Sequence, residues 1–286
     1  MSMMVLMEKV VEKNSIVVVG IDPVIDRFPE YIKNGFNSSY EKLMTFGKEI
    51  IDGVYDVVPA VKFQIAYFES YGLDGMRAFK DLIVYAKEKK LYVIADVKRG
   101  DIGSTAEAYA RAYFSKGSDF EVDCVTINPY LGDDNNNAFY NLAKENDKGV
   151  FVLVKTSNKT SGQLQDLKSN NKEIYKYVAN NIKENKFYET DYIYSNIGAV
   201  VGATYPKQLK EIREMLSQSV FLIPGYGAQG GKAKDIKWAF DSNGLGAVVN
   251  SSRGIIYSYE KFGLSVSKSS RKAAVEMRDD INQWRL

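Results

Sequence analysis

The stretch Ala95-Asp96-Val97-Lys98-Arg99-Gly100-Asp101-Ile102-Gly103-Ser104-Thr105 sets two carboxylates and an ammonium within a span of six residues. It follows an apolar run, Leu91-Tyr92-Val93-Ile94, that reads as a buried strand. Side chains alternate faces along a strand, so Asp96 and Lys98 point one way and Val97 the other. Asp101, just beyond, brings a second carboxylate close to the same lysine. Opposite charges at the end of a buried strand are costly to desolvate. Such a cluster either cements a core or performs electrostatic and acid–base chemistry.

The rest of the composition narrows that chemistry. The chain has no histidine, which removes Ser-His and Cys-His nucleophile systems and every His-based metal site. Cys124 is the only cysteine, so no intrachain disulfide or thiolate cluster exists. It opens an apolar run, reads as core filler and suits a cytoplasmic protein. Acid–base work therefore falls to Lys, Asp, Glu or Tyr. Lysine plus arginine number 38 against 36 acids, a net charge of +2, too weak and too scattered to argue for nucleic acid. No apolar run approaches the ~20 residues of a transmembrane helix, so no membrane partner is expected. The start, Met1-Ser2-Met3-Met4-Val5-Leu6-Met7-Glu8, lacks the basic segment and long apolar stretch of a signal peptide. It reads instead as a short amphipathic helix lying on the domain.

Eight short, β-branched, near-continuously apolar runs recur at 16–19, 60–63, 91–94, 124–127, 150–154, 197–201, 220–223 and 246–249. That is the pattern of strands buried on both faces. Helical stretches fall between them at 40–55, 75–90, 105–116, 172–187 and 206–216, with a closing helix over 269–284. Eight strand–helix alternations without a linker-like break predict an α/β fold, a single (β/α)8 TIM barrel spanning residues 1–286. A doubly wound sheet is the competitor, but no Gly-x-Gly-x-x-Gly follows the first strand, where Ile21-Asp22-Pro23 stands. The polar patch 132–137 and the stretch 157–171 read as loops at strand ends.

Barrel active sites are built from the C-terminal ends of the strands. Asp22 ends the first strand, Lys62 sits on the second, Asp96 and Lys98 end the third, and Ser157 follows the fifth. Each has a bland alternative: a turn cap for Asp22, a snorkelling lysine for Lys62, a turn opening for Ser157. Jointly they point into one mouth. On its far side, Pro224-Gly225-Tyr226-Gly227-Ala228-Gln229-Gly230-Gly231 follows the seventh strand, and Asn250-Ser251-Ser252-Arg253-Gly254 ends the eighth. Glycines let backbone N–H groups close on an anion and a guanidinium suits forked phosphate contacts, so a phosphorylated ligand is expected there.

Asp-x-Lys-x-x-Asp-Ile-x-x-Thr, as Asp96, Lys98, Asp101, Ile102 and Thr105 present it, resembles the active-site signature of the orotidine 5′-phosphate decarboxylase family. The resemblance covers most of the chain and lies nearest the longer bacterial group, through the stretch Thr126-Ile127-Asn128-Pro129-Tyr130-Leu131-Gly132. It implies a carbon–carbon lyase converting orotidine 5′-phosphate to uridine 5′-phosphate and CO2, the last step of de novo UMP synthesis, without cofactor or metal. It implies catalytic roles for Asp96, Lys98, Asp101 and Lys62, with Lys98 as proton donor. Asp22 and Lys62 match ribose contacts and Ser157 matches the reader of the pyrimidine amide edge. Pro224, Gln229 and Arg253 match the phosphate loop. Asp101, Ile102 and Thr105 match the signature segment, and the family inserts Asp101 and Thr105 into a neighbouring subunit, implying a homodimer with shared active sites. Strand eight departs locally, with Ser251-Ser252 before Arg253 where many relatives carry Gly-Arg. Two rivals stay open: a metal-dependent sugar-phosphate decarboxylase sharing Asp-x-Lys-x-x-Asp, and a catalytically silent phosphate-binding barrel.

Overall fold

The computed structural model describes residues 2–185, 187–188, 191–227 and 230–285. Eight parallel strands close into a barrel: β1 (Val17–Ile21), β2 (Ala60–Gln64), β3 (Tyr92–Arg99), β4 (Cys124–Ile127), β5 (Gly149–Lys155), β6 (Ser195–Val201), β7 (Ser219–Ile223) and β8 (Ala247–Ser251). Each pairs with its sequence neighbours and β8 returns to β1 through Val17 opposite Val249. The apolar runs map onto these strands because both faces of each are covered, one by barrel filling and the other by a helix. Every residue of β1, β4 and β7 is buried.

The helices form where the apolar periodicity places them, at Ser39–Val54, Gly72–Glu88, Gly103–Phe114, Ile174–Glu184, Pro206–Met215 and Val266–Asn282. Ser38 starts the first of these with a capping box, its hydroxyl accepting from Glu41 N–H while the Glu41 carboxylate accepts from Ser38 N–H. The N-terminal segment is a helix, Ser2–Lys13, burying Met3, Leu6, Met7 and Val10 at 3–4-residue spacing. Cys124 is fully buried, and burial pushes its thiol well above the ordinary range, as core filler requires.

One loop expectation is corrected. The patch 132–137 is not a loop but the opening of a helix, Asp133–Glu145. Gly132 turns the chain with φ +82°, and Asp133 and Asp134 lie in the first turn, where the helix dipole favours carboxylates. Asn135 and Asn136 are buried and bonded to each other, so polarity here marks hydrogen bonding rather than solvent. The stretch 157–171 is mostly irregular, with a helical turn at Gly162–Gln165 and a two-residue antiparallel ladder joining Lys168–Ser169 to Lys172–Glu173.

Close backbone approach fixes the β6–β7 seam at Gly198. A Cβ there would meet Val220 O at 2.5 Å and the Phe151 ring at 2.7 Å, and neither can move without disturbing the barrel. Gly198→Ala is expected to cost about 1–3 kcal/mol of stability through overpacking. Urea unfolding should show a lowered midpoint with an unchanged slope; an unchanged midpoint would mean that the seam yields freely.

Candidate active site

A cavity of about 650 Å³ opens at the C-terminal ends of the strands. Of the sequence-predicted residues it is lined by Asp22, Lys62, Asp96, Lys98, Ser157, Pro224 and Arg253. They lie on or just after β1, β2, β3, β5, β7 and β8, so the ladder that closes the barrel also sets their spacing.

Charges alternate along one wall. Lys62 Nζ lies 3.9 Å from Asp22 Oδ1 and donates to Asp96 Oδ2 at 2.9 Å. Lys98 Nζ donates to Asp96 Oδ1 at 2.6 Å. Two further donors complete the Asp96 carboxylate: Gln64 Nε2 to Oδ2 at 3.0 Å and the Thr126 hydroxyl to Oδ1 at 2.8 Å. Burial alone would push the Asp96 carboxyl up, but the positive charges of Lys62 and Lys98 overcome it and hold the group well below the usual carboxylate range. Burial would lower Lys62, yet Asp96 and then Asp22 raise it above its ordinary value. Asp96 is therefore a carboxylate and Lys62 an ammonium across the working pH range.

Asp96 and Lys98 meet as alternation suggests, but not along a regular strand. Ala95 pairs with Val125 and Arg99 with Ile127, so three residues of β3 stand opposite Thr126 alone. The excess is absorbed at Lys98, whose φ is +45°, a left-handed conformation uncommon for lysine. The turn lifts Lys98 toward the cavity, its side chain 45% exposed against 11% for Asp96.

Asp101 is the correction. Within one chain it makes no ion pair with Lys98 among the described residues; its carboxylate accepts from Ile102 N–H at 2.9 Å, and its N–H donates to Asn135 Oδ1 at 3.1 Å. The residues after the bulge run away from their own cavity. Ile102 is 57% exposed, Thr105 is exposed, and neither lines the cavity.

On the opposite rim, Gly225, Gly227 and Gly230 take φ of +96°, +67° and +92°, folding the loop after β7 back on itself through Gly227 N–H to Gly231 O. Tyr226 ties this loop to the closing helix through its hydroxyl and Asp280 Oδ2, 2.5 Å apart. Gln229 lies outside the described residues. Arg253 is exposed at the lip, at the start of the Arg253–Ile256 turn. Ser157 sits where Gly202, at the end of β6, leaves room: a Cβ there would stand 2.8 Å from Ser157 Cα.

Gln64, Thr126 and Asn250 were not singled out from sequence. Gln64 stands two residues after Lys62 and in register with Asp96, so alternation from Lys62 would have found it. Thr126 is a polar residue inside an apolar strand, the available signal for that position. Asp22 Oδ1 and Asn250 Oδ1 are buried in the cavity wall without a hydrogen-bond partner, unused acceptors suited to ligand hydroxyls.

A family model described as orotidine 5′-phosphate decarboxylase / HUMPS family matches residues 41–261. An orotidine 5′-phosphate decarboxylase of Clostridium perfringens is 44% identical over 282 residues, covering 97% of each chain. One of Petrotoga mobilis is 43% identical, covering 96% of each. The structure of Leishmania donovani OMP decarboxylase superposes with a TM-score of 0.79 at 30% identity, over 99% of this chain and 98% of that one. With this coverage and identity, the chain belongs to the orotidine 5′-phosphate decarboxylase family.

Proposed function

We propose that this chain is a barrel enzyme that decarboxylates orotidine 5′-phosphate to uridine 5′-phosphate and CO2, using no cofactor. The observation that carries this reading is the alternating wall Asp22–Lys62–Asp96–Lys98, held at hydrogen-bond and ion-pair distances inside a cavity with a glycine-turned rim. A binding module has no need to hold such charges together at the desolvation cost they carry.

In the proposed reaction the bond from the pyrimidine ring to its carboxylate breaks and the electron pair stays on the ring carbon. Delocalisation there is poor, so positioning and electrostatics must supply the catalysis. The Lys98 ammonium stabilises the developing carbanion, and its proton moves to that carbon as CO2 leaves; solvent restores the proton. Asp96 crowds the departing carboxylate and the crowding ends with CO2 release. Lys62 links Asp96 to Asp22, whose Oδ1, lacking a hydrogen bond, suits a ribose hydroxyl. Ser157 would read the pyrimidine edge, and Pro224, Gln229 and Arg253 would hold the phosphate, whose binding energy assists loop closure.

Shared sites in a homodimer belong to the same reading. Ile102 and Thr105 are exposed and Asp101 is half-buried beside them, in a chain whose turn at 129–131 exposes Tyr130 and Leu131. An exposed apolar patch next to a carboxylate suits a second copy of the chain. A single domain in the cytoplasm, where pyrimidine precursors are soluble metabolites, fits a chain in which no helix among the described residues is long and apolar enough to cross a membrane.

Adding the protein to orotidine 5′-phosphate should lower the long-wavelength edge of the substrate's ultraviolet band as it gives way to that of uridine 5′-phosphate, and a chelator should leave the rate unchanged. Loss of activity to the chelator would favour the metal-dependent sugar-phosphate rival. Lys98→Ala should lose at least about 100-fold in kcat while staying folded; near-normal turnover would remove Lys98 as donor.

Asp101 is tested by mixing. Inactive Lys98→Ala and inactive Asp101→Ala chains, reassorted at random, should recover about a quarter of wild-type activity, because each heterodimer carries one site free of both lesions. No recovery, with heterodimers shown to form, would place Asp101 in its own chain's site.

The charge wall also sets a pH dependence of stability. Asp96 is lowered on folding, so its contribution is complete above the unfolded value of about 3.9 and is lost as pH falls through the folded value. Lys62 is raised, so its contribution is complete below about 10.4 and is lost as pH rises through its folded value. Lys62→Met should cost about 3 kcal/mol at neutral pH by leaving Asp96 underpaired. It should also move the acid-side loss of stability to higher pH, because Asp96 loses a positive neighbour. Urea unfolding across the acid range that shows the wild-type profile would break the link.

A further inference from the structure

We propose that Thr126 is a positioning residue that sets both Asp96 and Lys98 for the reaction, an inference that rests on the decarboxylase reading and deepens it. Thr126 is the single β4 residue opposite three residues of β3, Asp96-Val97-Lys98, an excess of two. Ordinary ladder bonds cannot serve a stretch without matching partners, and the Thr126 hydroxyl replaces them. It donates its one hydrogen to Asp96 Oδ1 at 2.8 Å and accepts from Lys98 N–H at 3.0 Å. It is 1% exposed, so protein groups rather than solvent meet its hydroxyl.

The consequence falls on two reacting groups at once. Asp96 Oδ1 takes two donors, the Thr126 hydroxyl and Lys98 Nζ, and loss of the first leaves that oxygen held by the exposed Lys98 alone while Lys62 and Gln64 keep Oδ2. The Lys98 backbone is held at φ +45° against its own preference, and the N–H bond to Thr126 is what holds it there. Without it the bulge relaxes and carries Nζ away from Asp96 Oδ1. The residues proposed for ribose and phosphate come from β1, β2, the loop after β7 and the segment after β8, and none from β4, so the effect falls on chemistry more than on binding.

The experiment compares Thr126→Val, which keeps the shape and removes the hydroxyl, with Thr126→Ser, which keeps the hydroxyl and removes the methyl. Thr126→Val should lower kcat by about 10- to 100-fold, the scale of a displacement near 1 Å at a reacting group, with KM within about 2-fold. Thr126→Ser should restore most of kcat. Crystal structures of the two variants should show the Lys98–Asp96 pair broken in the first and kept in the second. Unchanged kcat in Thr126→Val, or an equal loss in both variants, overturns the proposal, as does an intact ion pair in Thr126→Val. If Thr126→Val does not fold, Thr126→Ser against Thr126→Ala makes the same comparison. Wild-type protein inert toward orotidine 5′-phosphate would refute the functional reading instead, and the crystal structures would still decide whether Thr126 positions the pair.

Discussion

Two lysines and two aspartates share one wall of a barrel mouth, and their desolvation is the cost the rest of the structure is arranged to meet. A buried ammonium or carboxylate without a partner would change its protonation state, and a pair survives only with short contacts and its remaining lone pairs used. Asp96 satisfies that condition with four donors on its two oxygens. Lys62 satisfies it by sitting between two carboxylates. The charges ride on β1, β2 and β3, whose register is fixed by main-chain hydrogen bonds, so the array inherits the rigidity of the barrel rather than of a loop. Catalysis by fixed charges needs that rigidity, because a dipole that must reorganise during the reaction gives back what it stabilises.

Not every polar group in the mouth is satisfied. Asp22 Oδ1, in loose ion-pair contact with Lys62, and Asn250 Oδ1 remain without a hydrogen bond, while both Asp96 oxygens have theirs. That division separates groups committed to the array from groups held open for a ligand. The glycine-turned loop across the mouth adds backbone amides on a segment that Tyr226 ties to the closing helix.

Much of this was legible in the chain. Strands buried on both faces leave unbroken β-branched runs, and all eight emerged within two residues at the start and up to five at the end. Each charged residue at the end of such a run has a bland explanation alone, and it is their convergence on one mouth that gathers Asp22, Lys62, Asp96 and Lys98 from sequence. What failed depended on backbone detail. The Asp133–Glu145 helix was hidden because its first turn is all Asp and Asn, residues that favour turns unless a neighbour claims their side chains; Asn128 and Asp101 claim Asn135. Alternation put Asp96 and Lys98 on one face without showing the bulge that brings them together. Thr126 was invisible as a partner because its role exists only across that irregular seam.

The same seam explains why Asp101 leaves its own cavity. A regular strand would have carried the chain past Asp96 with Asp101 still near the mouth. The excess residues on β3 turn the chain at Lys98, and Asn135 then pins Asp101 N–H to the start of the next helix. One irregularity thus serves two ends: it lifts Lys98 into the cavity and presents Asp101, Ile102 and Thr105 outward as a unit. In the proposed dimer the carboxylate missing from one mouth is supplied by the other chain, so completing the charge array and forming the interface become a single event. A monomer would hold Lys98 with one aspartate rather than two, and the barrel would be intact but chemically unfinished.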